Sequence, residues 1–192
     1  MDESQTPRLT YKVSLPGGQQ RLREAALYVM EKCAECESFG LTKLNKILWR
    51  ADFTAFARRR QPVTGRIYQK LKYGPAPVEM QPLLNELQRG GYMTIERRGV
   101  VPFVESRPVG LVSPSLRHFS EDDLAFLDEA IRFYWDYTAT GVSNQSHGVA
   151  WKTREIGDPM PYESSLLSDE RLAGELKARL LELGKARRWK TT

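Results

Sequence analysis

The chain has 192 residues, of which 41% are hydrophobic and 28% charged, a mixture typical of a globular protein with one domain. Its 29 lysines and arginines exceed its 24 acidic residues by five, which permits an acidic partner or nucleic acid without requiring either. No stretch approaches the ~18 apolar residues of a membrane span, and the polar start lacks an apolar signal core. We therefore expect no membrane association and a cytoplasmic location.

The chain is expected to begin with an arm and two helices. Residues 1–19 contain Pro and Gly with little periodicity, which predicts a flexible arm. Helical spacing begins at Gln20 and is expected to continue to Gly40. A second helix is predicted from Leu41 to Arg59.

The second predicted helix has apolar residues on two sides. One stripe contains Leu41, Leu44, Leu48, Ala51 and Ala55, and the other contains Trp49, Phe53 and Phe56. The remaining side, expected to face solvent, carries Lys43, Lys46, Arg50 and Thr54. Asp52 lies between the stripes, so it should be buried and should accept hydrogen bonds from specific donors.

The next segment mixes strand and helix signals. Residues 66–72 predict a short strand, and Pro75 is expected in the first turn of a helix that Pro82 would strain. A β-hairpin is predicted around Arg98-Gly99, with "VGLVS" at 109–113 as a possible third strand.

The last third of the chain is expected to be mostly helical. Ser120 and Asp123 form a capping-box pattern before an apolar helix, and "TGVSNQSHGVAW" predicts a short helix ending before Gly157. A final amphipathic helix is indicated by Leu172, Leu176, Leu180 and Leu183. The predicted fold is mainly α (α+β): a compact helical domain with a short strand after the second helix and a small β-hairpin or wing.

Few residues form a pattern with catalytic potential. Cys33 and Cys36 match C-x-x-C, but they share an apolar helical stripe and have no second pair, so we expect buried structural thiols. No phosphate-binding glycine loop and no G-x-S-x-G elbow is present. Ser143, Ser146 and His147 leave a hydrolase as a third hypothesis. We otherwise expect no catalytic, metal or cofactor site.

Clustered basic residues favour nucleic acid as an alternative partner. Candidates for phosphate contact are Arg58, Arg59 and Arg60 at the end of the second helix, and Arg97 and Arg98 at the hairpin. Helices followed by such a hairpin would suit a winged-helix regulator that binds operator DNA. The other reading is that these are solvated surface charges or partners of helix dipoles.

Several motifs together resemble one protein family. These are "LNKILWRADF" at 44–53, "PVTG" at 62–65, "YGP" at 73–75 and "SNQSHGVAW" at 143–151. The segment resembles the Panacea domain of SocA-like antitoxins, over about residues 22–165. Gln61 stands where a glycine would be expected, and the segment from 97 to 113 is longer than in a minimal domain.

The resemblance implies a non-enzymatic protein that neutralises a cognate toxin by binding it, in one branch as an adaptor to a AAA+ protease. It would make residues 20–184 one domain, followed by a basic tail at 185–192. The candidate partner-binding or motif residues are Trp49, Asp52, Arg66, Tyr73, Gly74, Pro75, His147 and Trp151.

The residues of the "YGP" motif suggest a structural hypothesis of their own. Gly74 and Pro75 should fix the geometry between a strand and the next helix, and we expect Asp52 and Tyr73 to connect the second helix to that junction by hydrogen bonds. A role in holding the fold is the alternative to direct partner contact for these residues. For His147 the expected role is a core histidine with its hydrogen bonds satisfied.

Overall fold

A computed structural model describes residues 9–99 and 104–167, together with the single positions 178 and 182. The described part is mainly helical, with two small antiparallel sheets, as the sequence predicted. Its helices are α1 (Gln20–Lys32), α2 (Leu41–Arg59), α3 (Met80–Arg89), α4 (Glu121–Tyr134), α5 (Ala139–Gln145), α6 (Val149–Lys152) and a 3₁₀ turn (Tyr162–Leu166). Its strands are β1 (Tyr68–Leu71), β2 (Gly74–Pro77), β3 (Met93–Arg98), β4 (Glu105–Gly110) and β5 (Pro159–Met160).

Helix α2 lies at the centre of the fold and has the predicted bounds. It contacts α1, α4, α5, β2 and the 3₁₀ turn. The Leu44 stripe enters the main core with α1, α3 and α4. Phe53 and Phe56 form a second cluster with Tyr68, Met160 and Tyr162, so α2 is packed on two sides as predicted.

The third side of α2 was predicted wrongly to face solvent. Lys43 and Lys46 are buried, with exposed fractions of 1% and 2%. Lys43 Nζ donates to the carbonyl of Trp135 at 3.0 Å, and Lys46 Nζ donates to that of Pro75 at 2.6 Å. Arg50 is half-buried, its guanidinium 3.4 Å from the centroid of the Phe133 ring. Contacts with later parts of the chain therefore cover this side of α2, although its lysine and arginine residues indicate exposure to solvent.

The segment after α2 forms a hairpin rather than a strand and a helix. Strands β1 and β2 pair antiparallel from Tyr68↔Pro77 to Leu71↔Gly74, and β5 pairs with the other edge of β1. Pro75 thus lies in β2 and not in a helix, which corrects the prediction. Helix α3 begins only at Met80, so Pro82 falls in its first turn, where a missing N–H is tolerated.

The second hairpin and the cap of α4 agree with the sequence. Strands β3 and β4 pair from Met93↔Gly110 to Arg98↔Glu105. The "VGLVS" stretch is not a third strand, because its first two residues end β4. Ser120 and Asp123 form the capping box of α4.

Two helix boundaries differ from the prediction. Helix α1 ends at Lys32, so Cys33 and Cys36 lie just beyond it and not within it. The "TGVSNQSHGVAW" segment forms two short helices, α5 and α6. The predicted helix marked by Leu172 to Leu183 and the basic tail at 185–192 lie outside the continuous described ranges.

The part of the predicted arm that is described contacts the domain. Val13 N donates to the carbonyl of Gly65 at 3.0 Å. Thr10 N donates to the carboxylate of Glu163 at 2.9 Å, and the Thr10 carbonyl accepts from Tyr162 N at 2.8 Å. The division into arm, domain and tail stays a prediction.

Candidate functional site

Asp52 is the buried polar centre beneath the β1–β2 hairpin. It is fully buried, and its carboxylate accepts hydrogen bonds from Thr64 N at 2.6 Å and from Thr64 Oγ1. Burial raises the pKa of the Asp52 carboxyl to about 6, although the bonds from Thr64 favour its charged form. The prediction that Asp52 is buried and bonded to specific donors is confirmed.

Asp52 and Tyr73 were predicted to connect α2 to the "YGP" junction by hydrogen bonds, but the Tyr73 carbonyl accepts its bond from Ser143 of α5. The Tyr73 side chain is 59% exposed. Asp52 is joined to later parts of the chain by Thr64 and by Tyr162, whose hydroxyl donates to the carbonyl of Arg66 at 2.6 Å and lies 3.4 Å from Asp52 Oδ2. Thr64 follows α2 closely enough to reach back to it, whereas Tyr162 is 110 positions away and no sequence signal connects it to Asp52.

Two further candidates are part of the internal framework. Trp49 is half-buried, and its ring packs at 5.5 Å on Phe53, beside the second core cluster. Arg66 is 8% exposed and forms an ion pair with Glu79, the residue before α3. In these positions both side chains hold elements together, and neither offers much surface to a partner.

Gly74 and Pro75 meet Lys46 in a tightly packed junction. Gly74 has φ +99°, and a Cβ added there would overlap Ser146 Oγ and Lys46 Cε. The carbonyl of Pro75 accepts the bond from the Lys46 ammonium. Burial lowers the pKa of Lys46 to about 7. The sequence analysis did not identify Lys46 as a site residue. The available signal for its burial was its position on a helix whose two other sides are apolar.

His147 and Trp151 lie next to this junction. Their rings stack at 3.8 Å with an angle of 11° between the planes. Trp151 Nε1 donates to the carbonyl of Leu71 at 3.1 Å, and Ser143 Oγ donates to that of Tyr73 at 3.1 Å. The structure thus brings together three of the sequence candidates, Tyr73, His147 and Trp151. We use the name "Tyr73 surface" for Leu71, Lys72, Tyr73, His147, Trp151 and Lys152.

The contact between Ser143 and His147 resembles part of a nucleophile–base pair. Their Oγ and Nε2 atoms are 3.3 Å apart. Within the described residues, however, no carboxylate is bonded to His147 to orient it, and the hydroxyl of Ser143 already has the Tyr73 carbonyl as its acceptor. Burial, followed by the charges of Lys46, Lys70 and Lys152, lowers the pKa of His147. At neutral pH the ring is therefore uncharged, and half-buried rather than fully in the core.

Most of the arginines predicted to contact nucleic acid have carboxylate partners. Arg58 forms a bidentate pair with Glu129 at 2.6 and 2.8 Å, and Arg59 pairs with Asp123. Arg98 is bonded to Glu96 at 2.8 Å.

The remaining two predicted arginines are exposed. Arg60 and Arg97 have no ion-pair partner within the described ranges. Arg60 also has a left-handed backbone, with φ 60°, at the end of α2. These two side chains are the ones that remain free to contact a phosphate.

The cysteines have the environment of structural thiols. Cys33 and Cys36 are each 1% exposed and are not bonded to each other. Burial, with a smaller contribution from Cys36, raises the pKa of Cys33 to about 12. Cys36 Sγ lies 3.3 Å from the carbonyl of Trp135. In the described residues no group of three His, Cys, Asp or Glu side chains is arranged to hold a metal.

Comparisons with known proteins give one match. A family model described as "Antitoxin SocA-like, Panacea domain" matches residues 44–152, more than half of the chain. No curated protein and no solved structure matches the chain. No helix in the described part is long and apolar enough to cross a membrane.

Proposed function

Because this chain belongs to the SocA-like antitoxin family, with its Panacea domain, we propose that it neutralises a cognate toxin by binding it directly in the cytoplasm. The observation that carries the proposal is the family match over residues 44–152. The matched region runs from α2 to α6 and contains the β1–β2 hairpin and the His147–Trp151 stack. The match to the family model and the β1–β2 hairpin with its neighbouring His147–Trp151 stack therefore lie in the same part of the chain.

Binding rather than catalysis is supported by the surroundings of His147. An acyl-transfer mechanism would need the base to be oriented by a third group and the nucleophile to donate its proton to that base. Here the hydroxyl of Ser143 donates to the backbone of Tyr73, and His147 stacks on Trp151. These contacts position a surface, and they do not activate a nucleophile.

Exposed side chains at the Tyr73 surface support a protein partner. Tyr73 is 59% exposed and Leu71 38%, although neighbouring aromatic residues such as Tyr68 are completely buried. Aromatic residues held at the surface are enriched among those that dominate the binding energy of protein interfaces. The proposal therefore places the toxin on this side of the domain.

The proposal includes an adaptor role, in which the bound toxin is delivered to a AAA+ protease. Its support is the family resemblance alone. The half-life of the toxin in cells tests it: the toxin should disappear faster when this protein and the protease are both present. An unchanged half-life would contradict the adaptor role, but it would not contradict neutralisation by binding.

Operator DNA is the second candidate partner, and one observation favours it. Arg97, near the end of the β3–β4 hairpin, is exposed and has no ion-pair partner in the described residues, as expected for a side chain that contacts phosphate. The pairs of Arg58 and Arg59 with carboxylates weigh against it. Binding of duplex DNA from upstream of the gene that weakens steeply with salt, and that Arg97→Ala reduces, would support it.

The test of the main proposal is a growth assay. The open reading frame beside the gene is expressed alone, together with this protein, and together with a version of this gene that has an early stop codon. We expect growth to stop in the first and third cultures and to recover in the second, with a complex that survives purification. A neighbour that is harmless alone, or toxicity that persists despite abundant folded protein, would contradict the proposal.

A further inference from the structure

The β1–β2 turn presents an aromatic side chain that the fold does not use. Tyr73 has the largest exposed fraction of the aromatic residues in the described part of the chain, at 59%. Next to it, Leu71 is 38% exposed and its carbonyl holds the indole of Trp151. Burying such apolar area against a partner would contribute roughly 25 cal/mol per Å².

The backbone that carries Tyr73 is held rigidly. Its carbonyl accepts the bond from Ser143, and Gly74 is packed against Ser146 and Lys46. The carbonyl of Pro75 accepts from Lys46 at 2.6 Å. Little conformational freedom remains to be lost when a partner binds, which is the condition under which an exposed aromatic residue contributes most to affinity.

The charge around the turn is predominantly positive. Lys72 and Lys152 are exposed, and the buried Lys70 has its ammonium 3.9 Å from the centroid of the Trp151 ring. In the described part of the chain, the carboxylates that act on Lys70 are those of Glu155 and Asp158, and Asp158 already accepts a bond from Glu155 N at 2.8 Å. Among the described residues, Lys70, Lys72 and Lys152 therefore oppose two carboxylates around the turn, so the field attracts negative charge.

The neighbouring strand edge cannot serve as the docking element. Strand β2 is an edge of its sheet, but it is buried along its whole length. Its residues Pro75 and Pro77 have no N–H to donate to an added strand. A partner on this side of the domain therefore has to contact side chains, and the Tyr73 surface offers exposed ones.

We infer that the Tyr73 surface is the docking site for an acidic segment of the toxin. The carboxylates of that segment face Lys72 and Lys152, and an apolar side chain packs on Tyr73. The stacked rings of His147 and Trp151 lie beside these contacts and limit the docking site on one side. This inference rests on the proposed function, because it assigns the chemistry of the toxin's contact region.

Titration calorimetry with the purified product of the adjacent reading frame tests the inference. We expect Tyr73→Ala to bind about 30-fold more weakly than wild type, as for a central aromatic contact, and Lys72→Glu about tenfold more weakly. The loss with Lys72→Glu should shrink as salt is raised, because the charges are at the rim. Tyr92→Ala and Lys12→Glu, which replace exposed residues elsewhere, should bind within about twofold of wild type.

A charge swap identifies the acidic segment. Each Asp and Glu of the toxin is changed to Lys in turn, and at least one such toxin should bind Lys72→Glu more tightly than wild-type toxin does. Melting temperatures of the variants close to that of wild type establish that they are folded. Such rescue separates direct charge pairing from any indirect effect on folding.

Each result decides the matter. Wild-type binding that Tyr73→Ala and Lys72→Glu leave within twofold overturns the docking surface and leaves the antitoxin function intact. An absence of binding by wild-type protein overturns the proposed function and the inference with it. If Lys72→Glu weakens binding to upstream duplex DNA but not to the toxin, the surface is for phosphate and the inference is wrong.

Discussion

Replacing Lys46 by Met should change how the stability of the protein depends on pH. The Lys46 ammonium is buried and has the Pro75 carbonyl as its hydrogen-bond acceptor. Burial lowers its pKa from 10.5 to about 7. Between these values the unfolded chain binds a proton that the folded protein does not, so stability increases with pH.

The size of the effect follows from the two pKa values. One proton of difference gives a slope of about 1.4 kcal/mol per pH unit. From about pH 7.5 to about pH 9, Lys46 should therefore add about 2 kcal/mol to the free energy of unfolding of wild type. This contribution to the free energy of unfolding is fully present above pH 10.5, decreases steadily as the pH falls between the two pKa values, and is lost once the pH has fallen through about 7. Lys46→Met lacks this contribution at every pH.

Urea denaturation at several pH values measures the difference. Loss of the bond to Pro75 costs Lys46→Met about 1–3 kcal/mol at every pH, so the slope and not the absolute stability is the quantity to compare. Groups such as Cys33 titrate equally in both proteins and cancel. Lys12→Met, at an exposed lysine, should keep the wild-type slope. An identical slope in Lys46→Met and wild type would refute the argument that burial has lowered this pKa.

Three further experiments, two on the stability of variants and one on thiol labelling, test other parts of the structure. Asp52→Ala leaves two donors of Thr64 unpaired and should lower the free energy of unfolding by about 2–4 kcal/mol in urea denaturation at pH 7. Gly74→Ala adds a Cβ that a positive φ disfavours and that overlaps neighbouring atoms, so it should lower the free energy of unfolding by about 3 kcal/mol. Gly91→Ala has a positive φ of +70° but open space around the added Cβ, so it should lower the free energy of unfolding by about 1 kcal/mol. In a Cys36→Ser background, Cys33 should react with a disulfide reagent at least about 100-fold more slowly in the folded than in the urea-unfolded chain, because burial, the largest cause of its raised pKa, remains in that variant.

Each of these has a result that would contradict it. Asp122→Ala, at an exposed position of α4, is the control for Asp52→Ala, and equal losses from the two would remove the case for a buried polar centre. Equal costs at Gly74 and Gly91 would mean that the Lys46–Ser146 junction is not tightly packed. Rapid labelling of Cys33 in the folded protein would place that thiol at the surface.

Local sequence signals predicted the elements that depend on near neighbours. The bounds of α2 follow from apolar spacing along 19 residues, and the capping box of α4 joins side chains three positions apart. Strand β3 of the β3–β4 hairpin ends directly before Gly99, the glycine that predicted the hairpin. Burial of Asp52 was also predictable, because its position between two apolar stripes of one helix is a property of that helix alone.

The partners of these residues depended on contacts between distant parts of the chain. Lys46 was assigned to a solvent side, and its acceptor is 29 positions away in a strand that had been expected to be a helix. Asp52 reaches Tyr162 across 110 positions, a partner that the sequence did not indicate. Helical spacing shows which side of α2 is polar but not what covers it, and the same limit applies to Lys43 under Trp135.

The sequence by itself determined the family, the mainly helical class and the set of residues around "YGP" and "SHGVAW". Only the tertiary structure decided that Tyr73 faces outwards while Gly74 and Pro75 face Lys46, and that His147 and Trp151 stack beside them. The physical reason is that side-chain spacing along one element is set by local backbone geometry. Which charges are desolvated, and which aromatic residue remains exposed, is set by packing between elements that are far apart in the chain.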